Sequence, residues 1–214
     1  MVVTEIALLR LWSGVVIGNA DLKSKLAHAK KVMQDYTGRQ FYYYQQIEDP
    51  SCIYIIGEWE SLDQHMNHFI PSRDNQSVLE SLKDLLAVEW LQHIDVSHID
   101  LPLPKTEDEK ATIHRHELVL SIVRHFVKDG EKEKFQETFE TNKHHLQDFI
   151  TLGNMGGGWR VDKEDSKEEW VVFCPWSSVE QHQAFASTEG FAKYGQIRGH
   201  IDGAEIKHAR FLEI

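Results

Sequence analysis

The sequence has few cysteines and no long apolar run. Its two cysteines, Cys52 and Cys174, each lie inside an apolar stretch, which excludes a disulfide framework and predicts buried free thiols. This cysteine usage favours a reducing compartment, so we expect a cytoplasmic protein. No run approaches the ~20 apolar residues of a membrane span, and no basic segment precedes the N-terminal apolar stretch. We therefore expect neither a membrane partner nor a signal peptide.

Basic residues are also scarce relative to acidic ones. Lysine and arginine number 23 against 34 aspartates and glutamates, which gives a formal net charge of −11. A nucleic-acid-binding protein needs a positive surface to displace phosphate counterions, so this balance argues against nucleic acid and against anionic membranes as partners.

What the sequence does contain is a repeated segment. Residues 59–65 read Trp-Glu-Ser-Leu-Asp-Gln-His and residues 176–182 read Trp-Ser-Ser-Val-Glu-Gln-His, and the two align without a gap. The identical pairs are Trp59/Trp176, Ser61/Ser178, Gln64/Gln181 and His65/His182. Each copy follows an apolar, strand-like run and contains Ser-x-x-Gln, a capping box in which the Gln side chain reaches back to the Ser amide. We therefore predict a strand, a Ser N-cap and a helix in each copy, and a duplicated unit.

Both halves of the chain predict the element order β-α-β-β-α-β, which is the ferredoxin-like order. The predicted fold class is α+β, with one unit over residues 1–97, a charged, proline-containing linker over 98–113 and a second unit over 114–214. Because both helices of such a unit cover one sheet face, two units can bury their bare faces together. We therefore predict an intramolecular dimeric α/β-barrel and a monomer. The alternative is two independent lobes and a homodimer.

Two further patterns carry predictions. Gly153 and the run Gly156–Gly158 lack the Lys-Ser/Thr of a phosphate loop, and we interpret them as a tight turn. His114 and His116 form His-x-His next to a predicted strand, a spacing that occurs in metal sites. No third ligand lies at a suitable spacing, so we predict no metal site.

Together these motifs resemble the dimeric α/β-barrel superfamily, and the branch they resemble is that of antibiotic-biosynthesis-monooxygenase-like domains, here in tandem. The resemblance rests on two β-α-β-β-α-β units whose third strand ends in Trp-x-Ser before Asp/Glu-Gln-His. It covers most of the chain outside the linker. The superfamily includes cofactor-free monooxygenases, polyketide cyclases, haem-degrading enzymes and ligand-binding domains, and the fold does not choose among them.

The resemblance implies a ligand between the sheet and the helices of one unit. It nominates His65, Asn67 and Arg73 as catalytic residues. Phe69–Arg73 also resembles a segment of plant polyketide cyclases, with Arg73 at the catalytic histidine position and Asn67 at the tyrosine position, which argues against that cyclase route. The substrate-binding candidates are Trp59, Tyr42, Tyr44, His68 and Phe69 in the first unit, and His116, Trp176 and His182 in the second. The haem-degrading branch uses an Asn on the first strand, and neither 4–12 nor 117–127 contains one.

The leading hypothesis is a tailoring enzyme of secondary metabolism with an apolar polyketide- or terpenoid-like substrate. It would be a cofactor-independent monooxygenase that uses no flavin, haem or metal. A cyclase or isomerase using the same pocket, including a cycloaddition catalyst, is the alternative. A non-catalytic binding domain for small ligands is the third reading.

Overall fold

A computed structural model describes the chain except for residues 116–117 and 164–166. The described residues form two compact units, which we treat separately. Unit 1 consists of Met1–Ser97 together with Phe211–Ile214, and unit 2 consists of His98–Arg210.

Unit 1 has the ferredoxin-like element order, with one additional short helix. Its elements are β1 (Val3–Leu11), α1 (Ala20–Thr37), β2 (Phe41–Gln46), β3 (Cys52–Trp59), a π-helix (Gln64–Phe69), α2 (Arg73–Leu82) and β4 (Leu86–Ile94). The strands lie side by side in the order β4-β1-β3-β2, and all neighbours are antiparallel.

Local sequence explains where α1 begins and ends. The Asn19 side chain caps the helix by accepting from the backbone amides of Asp21 and Leu22. Gly38 ends it in the left-handed conformation, with φ of 69°, which glycine adopts without a Cβ clash. The helix buries one stripe: Leu22, Leu26, Ala29 and Met33.

The core of unit 1 lies between one sheet face and the two α-helices. The stripe of α1 packs with strand residues and with two buried residues of α2, Val78 and Leu82. The strand members of this cluster are Leu9, Leu11, Tyr43, Ile53 and Leu86. Burying apolar side chains of this kind stabilises a fold by roughly 1.5–3 kcal/mol each.

Unit 2 repeats the ferredoxin-like order, with additional short helices. Its elements are a 3-10 helix (His98–Asp100), α3 (Glu107–Arg115), β5 (Val119–Val127), α4 (Lys132–Gln147), β6 (Gly156–Trp159), β7 (Glu168–Trp176), α5 (Val179–Phe185), α6 (Glu189–Tyr194), a second 3-10 helix (Gly195–His200) and β8 (Ile201–Leu212). The strand order is β8-β5-β7-β6. Its helix α4 buries Phe135, Phe139, Asn142 and Leu146.

Two stretches differ from the sequence prediction. The segment predicted as a linker, 98–113, contains the first 3-10 helix and most of α3. The glycines predicted as a turn, Gly156–Gly158, belong to strand β6. They serve close packing, because a Cβ on Gly157 would lie 2.2 Å from the Val171 carbonyl oxygen and one on Gly156 would lie 1.9 Å from that of Asp100.

The α+β class and the ferredoxin-like strand order within each unit agree with the sequence prediction. Within the described ranges, no helix is both long enough and apolar enough to span a membrane.

Candidate functional site

The repeated segment places a tryptophan flat against a histidine in both units. The rings of Trp59 and His65 are stacked, with centroids 3.9 Å apart and planes 6° from parallel. The rings of Trp176 and His182 stack in the same way, at 4.5 Å and 9°. The duplication therefore preserved a ring pair, and the two histidines owe their orientation to it.

The predicted serine caps are present, with one difference. Ser61 Oγ accepts from the Gln64 amide at 3.1 Å, as predicted, but Gln64 Oε1 accepts from the amide of Glu60 at 2.9 Å rather than from that of Ser61. Unit 2 shows the same pattern among Ser178, Gln181 and Ser177. In unit 1 the helix continues as a π-helix, whose wider turn is closed by a bond from the Ile70 amide to the His65 carbonyl at 2.9 Å.

A second histidine contacts the first in each unit. His65 Nδ1 lies 2.6 Å from His93 Nε2, and His182 Nδ1 lies 2.8 Å from His208 Nε2. One nitrogen of each pair must carry the hydrogen, so each pair shares a proton between two rings. His93 and His208 come from the last strand of their units.

Strand pairing places a residue that differs between the two units opposite the second histidine of each pair. His93 lies opposite Glu5 on β1, and His208 lies opposite Ser121 on β5. Val3 pairs with Trp59 and Val119 with Trp176, which makes Glu5 and Ser121 equivalent positions.

Glu5 is a buried carboxyl group, only 3% exposed. Its Oε2 accepts from Trp59 Nε1 at 2.7 Å and lies 3.8 Å from His65 Nε2. Burial raises the pKa of Glu5 to about 7, although the Trp59 hydrogen bond and nearby His93 both act to lower it. Glu5 can therefore gain or lose a proton near neutral pH, which suits a general acid or base.

Unit 2 has a neutral group at this position. Trp176 Nε1 donates to Ser121 Oγ at 2.9 Å, so the tryptophan keeps its hydrogen bond without a carboxylate. Burial, and then the neighbouring His208, lower the pKa of His182 to about 4. His182 is therefore neutral at pH 7.

Unit 1 contains an apolar cavity of about 90 Å³ between its sheet and its helices. Polar groups reach it only from Glu5, Tyr43, His65 and Asn75. Two of the apolar lining residues, Leu79 and Val88, are 40% and 46% exposed, so they mark an apolar mouth. The other lining residues are Ala7, Leu9, Leu26, Ala29, Met33, Ile55, Phe69, Ile70, Val78, Leu82, Leu86 and Leu91.

Unit 2 has a corresponding cavity of about 110 Å³. Its wall contains His182, Cys174 and a further histidine, His125. His125 Nδ1 donates to the Trp170 carbonyl at 3.2 Å, and burial lowers the pKa of His125 to about 4. Burial also raises the pKa of the Cys174 thiol to about 12, so this cysteine is not an activated nucleophile.

The structure brings some of the nominated residues to these cavities. His65 and Phe69 line the first cavity, and His182 lines the second. Trp59 and Trp176 are fully buried and lie behind the histidines rather than on the walls. The tryptophans therefore orient the histidine rings, and they are not the pocket walls that we expected.

Three other nominated residues differ from the expectation that they line the pocket. Arg73, Asn67 and His68 are exposed and outside the lining of the unit 1 cavity. Asn67 donates to Asp63 at 2.7 Å, and His68 Nε2 lies 3.8 Å from the other oxygen of the same carboxylate. In the π-helix the side chains at 65 and 69 are buried and those at 67 and 68 are exposed, and Arg73 lies at the exposed start of α2.

The tyrosines of β2 face the opposite way from our expectation that Tyr42 and Tyr44 line the pocket. Tyr43 lines the cavity and its hydroxyl donates to the Leu26 carbonyl at 3.1 Å, whereas Tyr42 and Tyr44 are buried outside the lining. Successive side chains alternate across a strand, so the neighbours of Tyr43 must face away. His116 lies outside the described residues.

Sequence reasoning missed Glu5, His93, Asn75 and His125. The available signal for Glu5 was a carboxylate inside an otherwise apolar strand, since such a group is almost never fully buried without a partner. The signal for His125 was a histidine in the apolar run of β5.

The described side chains and cavities fit neither a metal ion nor a haem. The described ranges contain no group of three histidine, cysteine or acidic side chains arranged to hold a metal ion. Both cavities are smaller than the ~150 Å³ that accommodates benzene in an engineered core. Neither cavity can hold a tetrapyrrole without moving its helices.

Comparison with solved structures shows the same fold in other proteins. A candidate monooxygenase from Fusobacterium nucleatum is 13% identical with a TM-score of 0.67, and the match covers 99% of this chain and 93% of that one. A candidate monooxygenase from Lactobacillus acidophilus is 14% identical with a TM-score of 0.62, covering 99% of each chain. An anthrone oxidase-like protein is 8% identical with a TM-score of 0.65, covering 99% of this chain and 92% of its own.

These likenesses confirm the predicted fold, an α+β chain of two ferredoxin-like units. At such identities they show the fold alone. No protein-family model matches the chain, and no curated protein sequence matches it.

Proposed function

We propose that the chain is a cofactor-independent monooxygenase of a small apolar molecule, and that unit 1 holds the working site. The observation that carries this proposal is Glu5, a buried carboxyl group with a pKa of about 7 on the wall of an apolar cavity. A group with that pKa is ionised often enough to take a proton, yet basic enough to do so effectively.

The substrate is proposed to be larger than the cavity. A volume of about 90 Å³ takes a short chain or the reacting part of one ring. The remainder would lie across the mouth on Leu79 and Val88, which are exposed apolar side chains. Polyketides and terpenoids with one oxygenated ring are the substrate class that this arrangement suits.

The first step would be removal of a proton from an acidic methylene or hydroxyl group by the Glu5 carboxylate. The proton can pass to the neighbouring pair His65 and His93, whose nitrogens lie 2.6 Å apart. Asn75 donates one amide hydrogen to the Ile70 carbonyl, which leaves its second N–H for an anionic oxygen of the substrate. The Tyr43 hydroxyl stays protonated, because burial raises its pKa.

The substrate anion would then reduce O2 directly. One electron passes to O2, the resulting radical and superoxide combine into a peroxide, and the peroxide loses water. The balanced change is that a methylene and O2 become a carbonyl and water. The protein's part is to create the anion and exclude water from it.

Oxygen uptake with anthrone as the probe tests the proposal, because its methylene can become the carbonyl of anthraquinone. Uptake above the uncatalysed rate, with anthraquinone formed in a 1:1 ratio to the O2 consumed and without hydrogen peroxide, supports it. An isomeric product without O2 uptake would indicate a cyclase or isomerase in the same pocket. Binding without turnover of the probe would indicate a non-catalytic ligand-binding domain.

A further inference from the structure

The cavity of unit 2 differs in charge from that of unit 1. None of its lining residues carries a carboxyl group, and one of them, Arg198, is a permanent cation. The unit 1 cavity has the opposite character, with the Glu5 carboxyl and no lysine or arginine on its wall. The two cavities therefore differ in the charged groups that they present to a ligand.

Arg198 is held at the edge of the cavity without an acidic partner. Its guanidinium lies 4.6 Å from the centre of the Phe191 ring, a cation–π contact. Within the part of the chain that the structure describes, no carboxylate forms an ion pair with it. Arg198 is exposed, so an incoming anion can reach it.

The interior behind Arg198 is apolar and neutral. Phe185, Phe191 and Ile197 form much of its wall. Burial lowers the pKa of both His125 and His182 to about 4, so neither ring is charged at pH 7. The unit 2 cavity is therefore apolar and neutral inside, with one cation at its edge.

We infer that the cavity of unit 2 binds a small carboxylate that has an apolar hydrocarbon part. The hydrocarbon part would enter the cavity, and the carboxylate would pair with the Arg198 guanidinium. Guanidinium and carboxylate can form two parallel hydrogen bonds, which gives such a site orientation as well as affinity. A volume of about 110 Å³ takes a short branched chain or part of one ring, the rest of which stays at the open edge beside Arg198. This inference does not depend on the reaction proposed for unit 1.

Benzoate is the probe, and benzyl alcohol is its neutral counterpart of similar shape. Calorimetric titration at low salt should give saturable binding of benzoate and at least tenfold weaker binding of benzyl alcohol. Arg198→Gln should weaken benzoate binding about tenfold, which corresponds to about 1.4 kcal/mol. Higher salt should weaken it as well.

Two control variants separate a site from general attraction. Lys193→Gln removes an exposed positive charge five residues from Arg198 that is not part of the cavity wall, and it should change benzoate affinity less than twofold. Glu5→Gln alters unit 1 alone and should leave benzoate binding unchanged. Ala204→Phe, which fills the cavity edge, should abolish binding of both probes.

Four results would overturn the inference. Three are no saturable benzoate binding, equal binding of benzyl alcohol, and equal losses in Arg198→Gln and Lys193→Gln. The fourth is loss of binding in Glu5→Gln, which would place the ligand in unit 1.

Discussion

The two units share a scaffold and differ at one residue, the one whose side chain accepts the hydrogen bond from the tryptophan N–H. Both stack a tryptophan on a histidine and join that histidine to a second one. Where unit 1 has Glu5 as the acceptor of the tryptophan N–H, unit 2 has Ser121. The shared stack is therefore compatible with either acceptor, and the stack alone does not identify a catalytic site.

This difference shows how a duplicated unit can separate structure from chemistry. A serine hydroxyl satisfies the buried indole N–H as well as a carboxylate does, at much lower desolvation cost. Keeping a carboxyl group in unit 1 costs stability, and a cost of that kind is typical of functional sites. The comparison therefore favours unit 1 for acid–base chemistry and unit 2 for binding.

The largest expected effect is on turnover. Glu5→Gln keeps the size and the acceptor oxygen for Trp59 but cannot take a proton, so we expect kcat/KM to fall about 10²–10⁴-fold, the usual range for a general base. Ser121→Ala in unit 2 should change it less than about twofold. Oxygen uptake with the active probe measures both. Equal losses in the two variants would contradict the assignment of unit 1 as the working site.

The second expected effect is on the pH dependence of turnover. Because the base must be ionised and burial raises the pKa of Glu5 to about 7, kcat/KM should rise with pH and level off above pH 7. Below that value it should fall about tenfold per pH unit, the dependence of a single ionisation. His182→Gln should leave the profile unchanged. A flat profile between pH 5 and 8 would exclude Glu5 as the base.

The third expected effect is a contrast in how pH affects stability. The folded pKa of Glu5 is about 7 against an ordinary 4.5, so its contribution to stability is complete below pH 4.5 and is lost as pH rises through 7. That change amounts to about 3 kcal/mol. His182 has a lowered pKa, so its contribution is present above pH 6.5 and is lost as pH falls towards 4.

Urea unfolding from pH 4 to 8 tests this contrast. Between about pH 4.5 and 6.5, Glu5→Gln should remove a fall in stability with rising pH. His182→Gln should remove a rise of similar size over the same range, while the rise due to His125 remains. The contrast fails if both variants change the slope of the curve in the same direction.

The sequence predicted the parts of this site that lie close together along the chain. The repeat identified both tryptophan–histidine pairs and both serine caps, because these are short-range patterns. It could not identify His93 and His208, since only strand pairing brings them to the first histidines. It also could not align Glu5 with Ser121, because a search for identity passes over the position where the units differ.

The misplaced residues have a local cause. A regular α-helix repeats every 3.6 residues, but the segment Gln64–Phe69 is a π-helix closed by i→i+5 bonding. A helical wheel drawn from the serine cap therefore drifts in phase along this segment. That drift accounts for the exposure of His68, whereas Asn67 faces away from His65 in either kind of helix. Arg73 lies beyond the segment, at the exposed start of α2.

The smallest effect concerns the two tryptophan hydrogen bonds. Trp59→Phe and Trp176→Phe should each keep part of the ring contacts. Each should also lower the free energy of unfolding by about 1 kcal/mol, because the N–H hydrogen bond is missing. The consequences should differ, because the Trp59 hydrogen bond lowers the pKa of Glu5. Trp59→Phe should therefore move the midpoint of the pH–rate profile to higher pH, while Trp176→Phe should leave it in place. If both variants leave the midpoint unmoved although turnover is retained, the Trp59–Glu5 bond does not tune the proposed base.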